Sequence, residues 1–286
     1  MIYWLHVVCS VLLRFIPRQV AYGLVSFFAP IGLLIWRQHY LQAVENMARI
    51  LGPGPDPREV HRLVRNVFRN YAKYMVDLLR LPRQSFHELE QRLVVTGREH
   101  LEEALASGRG VVFVTGHIGN WDLAGALLAS YGYPVNVIVE TLQPKRWNDL
   151  VQEIRHVVGM RAIPLESGVR DILRALRGNE IIGILIDRPM RENGVPVEFF
   201  DALTRVPSGA ATLALRTGAN VMAAAMVRHG DRYVAHLSPV IRAEPSGDVV
   251  QDVQTLTQHI MDQLEQWIRE YPDQWFMFRD MWQAKA

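Results

Sequence analysis

Between residues 92 and 187, short apolar runs alternate with segments of helical periodicity. Segments of about ten to fifteen residues with turn residues at their ends predict helices between the runs. Such alternation indicates an α/β domain: a central, mostly parallel sheet flanked by helices. The apolar runs predict strands at residues 93–96, 111–115, 135–140, 162–165 and 181–186.

The pattern changes on both sides of this stretch. Downstream, residues 195–200 predict another strand, and residues 220–241 predict an antiparallel hairpin at the sheet edge. A closing helix is predicted at residues 250–269. Upstream, a Pro/Gly cluster separates a helix at residues 40–50 from an amphipathic helix at residues 57–81. We therefore expect a helical region over residues 1–90 and the α/β domain over residues 91–286.

The N-terminal segment is apolar and lacks acidic residues. Residues 1–13 and 20–36 carry no formal charge, and the first acidic residue of the chain is Glu45. A spanning helix needs about 20 apolar residues, and Pro30 interrupts the second run. Aromatic residues with arginines favour a helix pair that lies in the headgroup region of an anionic membrane. A spanning helix and a buried helical hairpin remain as alternatives.

Composition narrows the class of protein. The 286 residues are 49% hydrophobic with a net charge of +2, so nothing in the overall charge points to nucleic acid. The single cysteine, Cys9, excludes an internal disulfide and cysteine-based zinc sites. The histidines are scattered, without the clustered spacing of metal ligands, and we expect no metal site.

The most informative stretch is the run at residues 111–115 and the loop that follows it. His117 lies in this loop between Gly116 and Gly119, and Asp122 lies in the first turn of the next helix. Open α/β sheets bind ligands at the carboxyl ends of their strands. A histidine held there by a carboxylate can take a proton from a hydroxyl. The alternative is that Asp122 only complements the helix dipole and His117 is an ordinary loop residue.

Two further segments place polar groups after apolar runs. Asp187 and Arg188 follow the run at residues 181–186. The helix predicted after Pro207 begins with Ser208 and Gly209, whose free backbone amides could hold a phosphate. A simply capped helix is the alternative there.

Together these motifs resemble one family, and the resemblance covers nearly the whole chain. The chain resembles the bacterial lysophospholipid acyltransferase superfamily, in particular the branch of lipid A late acyltransferases and phosphatidylinositol mannoside acyltransferases. The residues that carry it are Gly116-His117-Ile118-Gly119-Asn120-Trp121-Asp122, Asp187-Arg188, Val197-Glu198-Phe199-Phe200, Pro207-Ser208-Gly209-Ala210, the aromatic tail at residues 275–282 and residues 37–46.

The resemblance implies acyl transfer from a thioester, acyl-CoA or acyl carrier protein, to a hydroxyl of a membrane glycolipid. The acceptor would be of the phosphatidylinositol mannoside or lipid A precursor type, at the cytoplasmic face of the bacterial cell membrane. On this basis His117 is the general base and Asp122 orients its imidazole. No cofactor is implied beyond the acyl donor, which is a substrate.

The same resemblance suggests which residues bind substrate. Amides around Gly119, Asn120 and Trp121 could stabilise the negative charge that develops on the thioester carbonyl. Arginines are candidates for the anionic headgroup or the donor phosphate, and acidic residues for the acceptor pocket. The alternatives are a surface ion pair for Arg155 and a surface charge on an edge strand for Glu198. The further candidates are Arg155, Arg188, Asp187, Glu140 and Glu198.

Other activities remain open on the same motifs. A glycerophospholipid acyltransferase shares the chemistry, but its usual Phe-Pro-Glu-Gly-Thr-type motif is absent from this sequence. A serine hydrolase is disfavoured because the chain contains no Gly-x-Ser-x-Gly. A thioesterase or a non-catalytic lipid-binding protein on this fold is also possible. Asp187-Arg188, where many lipid A enzymes have Asp-Gln, favours a mannoside or another glycolipid acceptor. Asp201 stands where the family has Gly, so the turn after Phe200 must be built differently.

Overall fold

The computed structural model describes residues 16–166, 168–190, 193–230, 232–243 and 245–282. The predictions for residues 1–13, including Cys9, lie outside these residues.

Short 3-10 helices cover Leu81–Arg83 and Pro272–Gln274. The α-helices are α1 (Arg18–Ile35), α2 (Arg37–Ile50), α3 (Pro57–Arg80), α4 (Phe86–Glu90), α5 (Arg98–Ala106), α6 (Trp121–Ser130), α7 (Lys145–Val157), α8 (Val169–Arg177), α9 (Gly209–Thr217) and α10 (Val249–Glu270).

Seven strands form the central sheet in the order β1-β9-β8-β2-β5-β3-β4, and β6 and β7 form a separate antiparallel pair. Neighbouring strands of the large sheet are parallel except β8 and β9. The predicted α/β domain with a mostly parallel sheet is confirmed. The strands are β1 (Leu93–Thr96), β2 (Val111–Thr115), β3 (Val135–Val139), β4 (Met160–Pro164), β5 (Ile181–Leu185), β6 (Val195–Glu198), β7 (Leu203–Val206), β8 (Asn220–His229) and β9 (Arg232–Leu237).

The predicted hairpin exists, but its place in the sheet differs from the prediction. β8 pairs with β2 on one side, and β9 pairs in parallel with β1 on the other. The edge on this side is therefore β1. Seven of the first eight residues of β8, 220–227, are buried. This suits a strand that lies inside a sheet covered on both faces.

Two caps place the helices that reach the site. Asp56 accepts a hydrogen bond from the backbone N–H of Arg58 and begins α3 with Pro57 at its first position. Asn120 caps α6 by accepting from the N–H of Leu123 at 3.0 Å. Buried residues of α2 and α3, such as Met47 and Phe68, belong to the same apolar core as Val112 of β2. The helical region therefore packs directly against the sheet domain.

Helix α1 has a large exposed apolar surface. Phe27 and Ile35 are 75% and 74% exposed, and Val20, Leu24, Phe28 and Ile31 are exposed too. Across the described ranges, no single helix is long and apolar enough to cross a membrane. The segments Arg18–Leu33 and Arg37–Ile50 meet that requirement only as a pair, with a bend of 97° between them.

Candidate active site

Strand register brings His117 beside Asp187. β2 and β5 are parallel neighbours with Thr115 opposite Leu185, and the chain continues two residues beyond each to His117 and Asp187. Nδ1 of the imidazole lies 2.6 Å from Oδ1 of the carboxylate. The backbone N–H of His117 donates to Oδ2 of the same carboxylate at 2.7 Å. Asp187 therefore holds both the ring and the main chain of the histidine.

Asp187 is fully buried and remains a carboxylate. Trp275 donates its indole N–H to Oδ2 at 2.8 Å. Burial alone would raise the pKa of Asp187, but the charge of protonated His117 and the hydrogen bonds from His117 and Trp275 outweigh burial. They hold this pKa below its usual range. The partner of the imidazole is thus an anion.

Both loop glycines are required by close contacts. A Cβ on Gly116 would lie 2.8 Å from Oδ2 of Asp187. Gly119 has a φ of +65°, and a Cβ there would lie 2.0 Å from the carbonyl oxygen of Met226. The N–H groups of Gly119 and Asn120 donate to the carbonyl oxygens of Gln274 and Met226 at 2.9 and 2.7 Å. The loop that carries His117 is therefore fixed on two sides.

The prediction that Asp122 orients the imidazole is wrong. Its Oδ1 accepts from Nε of Arg155 and its Oδ2 from the hydroxyl of Tyr74, each at 2.7 Å. Asp122 lies on α6, beyond the loop, and its side chain contacts α3 and α7 instead of His117. Burial would lower the pKa of Arg155, but the charge of Asp122 outweighs it and raises this pKa. The pair is a buried ion pair whose side chains are 13% and 2% exposed.

His117 lies at the wall of an open cavity, which we call the catalytic pocket. Its Nδ1 is bonded to Asp187, and its Nε2 has no hydrogen-bond partner within the described part of the chain. Glu140, Arg155 and Arg188 also line the pocket. Its aromatic walls consist of Tyr71, Tyr74, Trp121, Trp147, Phe276 and Phe278.

A second cavity, the apolar cavity, lies between the sheet and α6. Side chains of α6, including Ala124 and Leu128, form one wall, and Phe113 and Ala224 of the sheet lie on another. Trp121 and Arg155 line both cavities. The apolar cavity and the catalytic pocket therefore share a wall beside His117.

Comparison with known proteins identifies the family. The profile described as bacterial lipid A biosynthesis acyltransferase matches residues 1–284. The chain belongs to this acyltransferase family. The predicted resemblance and enzyme class are confirmed at this level.

Several family relatives cover most of this chain. A phosphatidylinositol mannoside acyltransferase of Mycolicibacterium smegmatis is 33% identical over 250 residues, 85% of this chain and 79% of the relative. One of Mycobacterium tuberculosis is 31% identical over 253 residues, 85% and 77% of the two chains. A lipid A biosynthesis acyltransferase of Haemophilus influenzae is 22% identical over 282 residues, 95% and 84% of the two chains.

Several predicted residues of this family member do come together. Trp121, Glu140, Arg155 and Arg188 line the catalytic pocket with His117. Glu140 and Arg188 form an ion pair at its opening, with side chains 54% and 30% exposed. The alternative of a surface ion pair for Arg155 is wrong, because its partner Asp122 is buried.

Four predicted substrate-binding residues do not line the catalytic pocket. The N–H groups of Gly119 and Asn120 are already bonded, and the Asn120 side chain caps α6 and donates to Asp77. Glu198 is an exposed residue of the separate β6–β7 pair, in keeping with the alternative interpretation of a surface charge. Asp187 does not line the pocket; it bonds to His117, so its predicted place among the substrate-binding residues changes to that of a hydrogen-bond partner of His117.

Two residues of the site have no predicted role. Tyr74 lies on α3, where amphipathic periodicity gives no hint that its hydroxyl meets Asp122. Trp275 belongs to the aromatic tail already noted in the sequence, but its contact with Asp187 spans 88 residues. Among the described residues, no three His, Cys, Asp or Glu side chains are grouped as a metal site.

Proposed function

We propose that the protein is a membrane-associated O-acyltransferase that moves a fatty acyl chain from an acyl thioester to a hydroxyl of a membrane glycolipid. The observation that carries this proposal is His117: Asp187 fixes its Nδ1, while its Nε2, at the catalytic pocket, has no hydrogen-bond partner among the described residues. This is the arrangement of a general base. Relatives named as phosphatidylinositol mannoside and lipid A acyltransferases support a glycolipid acceptor.

The reaction follows from this geometry. Nε2 of His117 takes the proton of the acceptor hydroxyl as its oxygen attacks the thioester carbonyl carbon. The ionised carboxylate of Asp187 stabilises the imidazolium that forms. The tetrahedral intermediate then collapses, the carbon–sulfur bond breaks, and the thiolate takes the proton from the imidazolium. The products are an ester and a free thiol, and His117 returns to its starting state.

Arg155 is our candidate for stabilising the oxyanion. Its Nε is bonded to Asp122 and its Nη1 lies 3.4 Å from Oε1 of Gln152. Its Nη2 has no hydrogen-bond partner among the residues described. Because Arg155 lines both cavities, it lies where a chain in one would meet an acceptor in the other. A preorganised cation at this junction favours the negative charge of the transition state.

The two cavities suit the two substrates. The walls of the apolar cavity match a fatty acyl chain. The aromatic walls of the catalytic pocket suit the apolar faces of sugar rings, and Arg188 with Glu140 suits a polar headgroup. The backbone amides at the start of α9, beside Pro207 and Gly209 in the pocket, can contribute to binding a phosphate.

The exposed apolar surface of α1 supports attachment to a membrane. Phe27, Phe28 and Ile35 are more than half exposed, and the helix contains no acidic residue. Such a surface gains free energy by entering the headgroup region of an anionic bilayer. With a glycolipid acceptor and a CoA or carrier-protein donor, the cytoplasmic face of the membrane is the expected location.

The first test is transfer of labelled palmitate from palmitoyl-CoA into total lipid extract of the native cell, for the wild type and His117→Ala. We expect an acylated glycolipid that is absent with the variant, and its structure identifies the acceptor. Transfer that survives in the variant would overturn the role of His117. Release of palmitate at a rate independent of added lipid would indicate a thioesterase. If neither protein transfers palmitate, acyl carrier protein replaces CoA as the donor.

The apolar cavity has its own test. Leu128→Trp fills the cavity on its α6 wall, away from His117. We expect the preference to move toward shorter acyl chains by about tenfold, since each buried methylene is worth about 0.8 kcal/mol. Leu215→Trp, at an exposed position of α9 outside the cavity, is the control. An unchanged preference in Leu128→Trp would place the acyl chain elsewhere.

A further inference from the structure

The C-terminal segment at residues 271–282, which we call the tail segment, places its first tryptophan against Asp187, the partner of the base. Trp275 is fully buried, with ring centroids 5.9 Å from Phe199 and 6.3 Å from both Phe200 and Trp282. The only polar atom of its side chain, Nε1, donates to Oδ2 of Asp187 at 2.8 Å. Neither partner is exposed to water, so no solvent molecule competes for this hydrogen bond.

The indole completes the coordination of the Asp187 carboxylate. Oδ2 accepts two donors, the backbone N–H of His117 and the indole N–H, while Oδ1 faces Nδ1 of the imidazole. Two donors on Oδ2 fix the rotation of the carboxylate and hence the direction of Oδ1. Hydrogen bonds to an ionised acceptor are stronger than neutral ones, and burial strengthens them further.

The main chain of the tail segment binds the same loop. The N–H of Phe276 donates to the carbonyl of His117 at 2.8 Å, and the carbonyl of Gln274 accepts from Gly119 at 2.9 Å. Trp275 itself forms an antiparallel bridge with Ile118. The tail segment therefore contacts the base through its backbone and the carboxylate through the indole.

We propose that Trp275 is a positioning residue, whose indole N–H orients the Asp187 carboxylate and favours the ionised carboxylate–neutral imidazole form that accepts the substrate proton. This rests on the proposed role of His117 as general base. The indole does not touch the substrate. It acts through Asp187. Its removal should change the pH at which the His117–Asp187 pair takes up a proton, as well as the turnover rate of the enzyme.

The direction of that change follows from charge. A donor on Oδ2 stabilises the form of the pair with more negative charge, which is the active form. Without it, the pair holds its proton to a higher pH, and the acid limb of the pH–rate profile moves upward by about half a unit to one unit. Asp122, Glu140, Arg155, Arg188, Tyr71 and Tyr74 are the other titratable groups around the pair, and none is altered by this change.

The experiment compares Trp275→Phe with Trp282→Phe across the pH range of transfer from palmitoyl-CoA. Trp282 is a matched control, because it lies in the same tail segment and its Nε1 donates at 2.8 Å to the carbonyl of Phe199, not to Asp187. We expect kcat/KM of Trp275→Phe to be about 3–10-fold lower below the acid limb and close to wild type above it. Trp282→Phe should keep the wild-type profile.

A loss in Trp275→Phe that is the same at every pH, or a limb that moves equally in both variants, would reduce Trp275 to a packing residue. If Trp275→Phe does not fold, benzothienylalanine at position 275 keeps the shape of tryptophan and lacks only the N–H. NMR titration of isotope-labelled histidine then reads the protonation of His117 without substrate, with its signals assigned from His117→Gln. An unshifted titration would overturn the proposal.

The NMR titration also separates the two proposals. If His117→Ala still transfers acyl groups, the role of His117 as base fails, whatever the titration of the pair. If His117→Ala is inactive and the titration does not move in the position-275 variant, only the role of Trp275 fails.

Discussion

Asp122 and Asp187 are both buried carboxylates near His117, and their surroundings differ. Asp187 accepts from the imidazole and the backbone N–H of His117 and from the indole of Trp275. Asp122 accepts from Arg155 and Tyr74, and neither of these residues is hydrogen-bonded to His117. The first carboxylate therefore binds the proposed base, and the second binds a cation.

The difference teaches that spacing along the chain does not decide which carboxylate bonds to His117. Asp122 is five residues from His117, but it lies on the next helix. Asp187 is 70 residues away, but the parallel register of β2 and β5 delivers it to the same end of the sheet. The two positions should therefore respond differently to substitution: Asp187 mainly in turnover, and Asp122 mainly in stability.

The largest expected effect is on turnover in Asp187→Asn. The amide keeps the shape but cannot stabilise the imidazolium, so we expect kcat to fall about 10²–10⁴-fold. The free energy of unfolding should change by only about 1 kcal/mol, because Asn can still accept from His117 and Trp275. Rates and denaturant unfolding measure the two quantities. A turnover loss of this size in folded Asp122→Asn, without one in Asp187→Asn, would reverse the assignment.

The next effect is on stability in Asp122→Ala. Arg155 would be left as a buried charge without its partner, which costs about 3–5 kcal/mol. Denaturant unfolding of the single variants and of Asp122→Ala/Arg155→Met should show strong coupling. The double variant should lose less stability than the sum of the single variants, because it leaves no unpaired buried charge. The control is Asp149→Ala, which breaks an exposed pair with Lys145 and should leave the free energy of unfolding nearly unchanged. Additive losses at Asp122 and Arg155 would contradict the ion pair.

Much of the fold, but less of the site, could be predicted from the sequence. The bounds of β1 and β2 match the apolar runs because both stand between clear turn residues. β7 was missed because its pattern is inverted: Leu203 is 77% exposed while Thr204 is buried. Predicting the partner of His117 requires the order of the strands in the sheet. β3 and β4 separate β2 from β5 along the chain, but β2 and β5 are neighbours in the sheet. Apolar periodicity predicts strands but not this order.

A third effect appears only in acid. The pKa of Asp187 lies below its usual range in the folded protein. The carboxylate therefore contributes stability that is fully present above the unfolded value of about 3.9 and is lost as the pH falls from there through the folded value. We expect the free energy of unfolding to fall more steeply for the wild type than for Asp187→Asn below about pH 4. Parallel curves would mean that the carboxylate gains nothing from its donors.

The smallest effect tests the other carboxylate. Tyr74→Phe removes one donor from Asp122 and leaves Arg155 in place, so we expect a loss of about 1 kcal/mol in the free energy of unfolding. Burial and Asp122 together raise the pKa of Tyr74, so its hydroxyl is a donor throughout the working range. Tyr71→Phe is the matched control, since the Tyr71 hydroxyl bonds to no other described residue. The pH–rate profile of Tyr74→Phe should keep its acid limb, because Tyr74 is bonded to Asp122 and not to the His117–Asp187 pair. If the acid limb in Tyr74→Phe moved as far as in Trp275→Phe, the two carboxylates would be coupled, and Asp122 could not be assigned to stability alone.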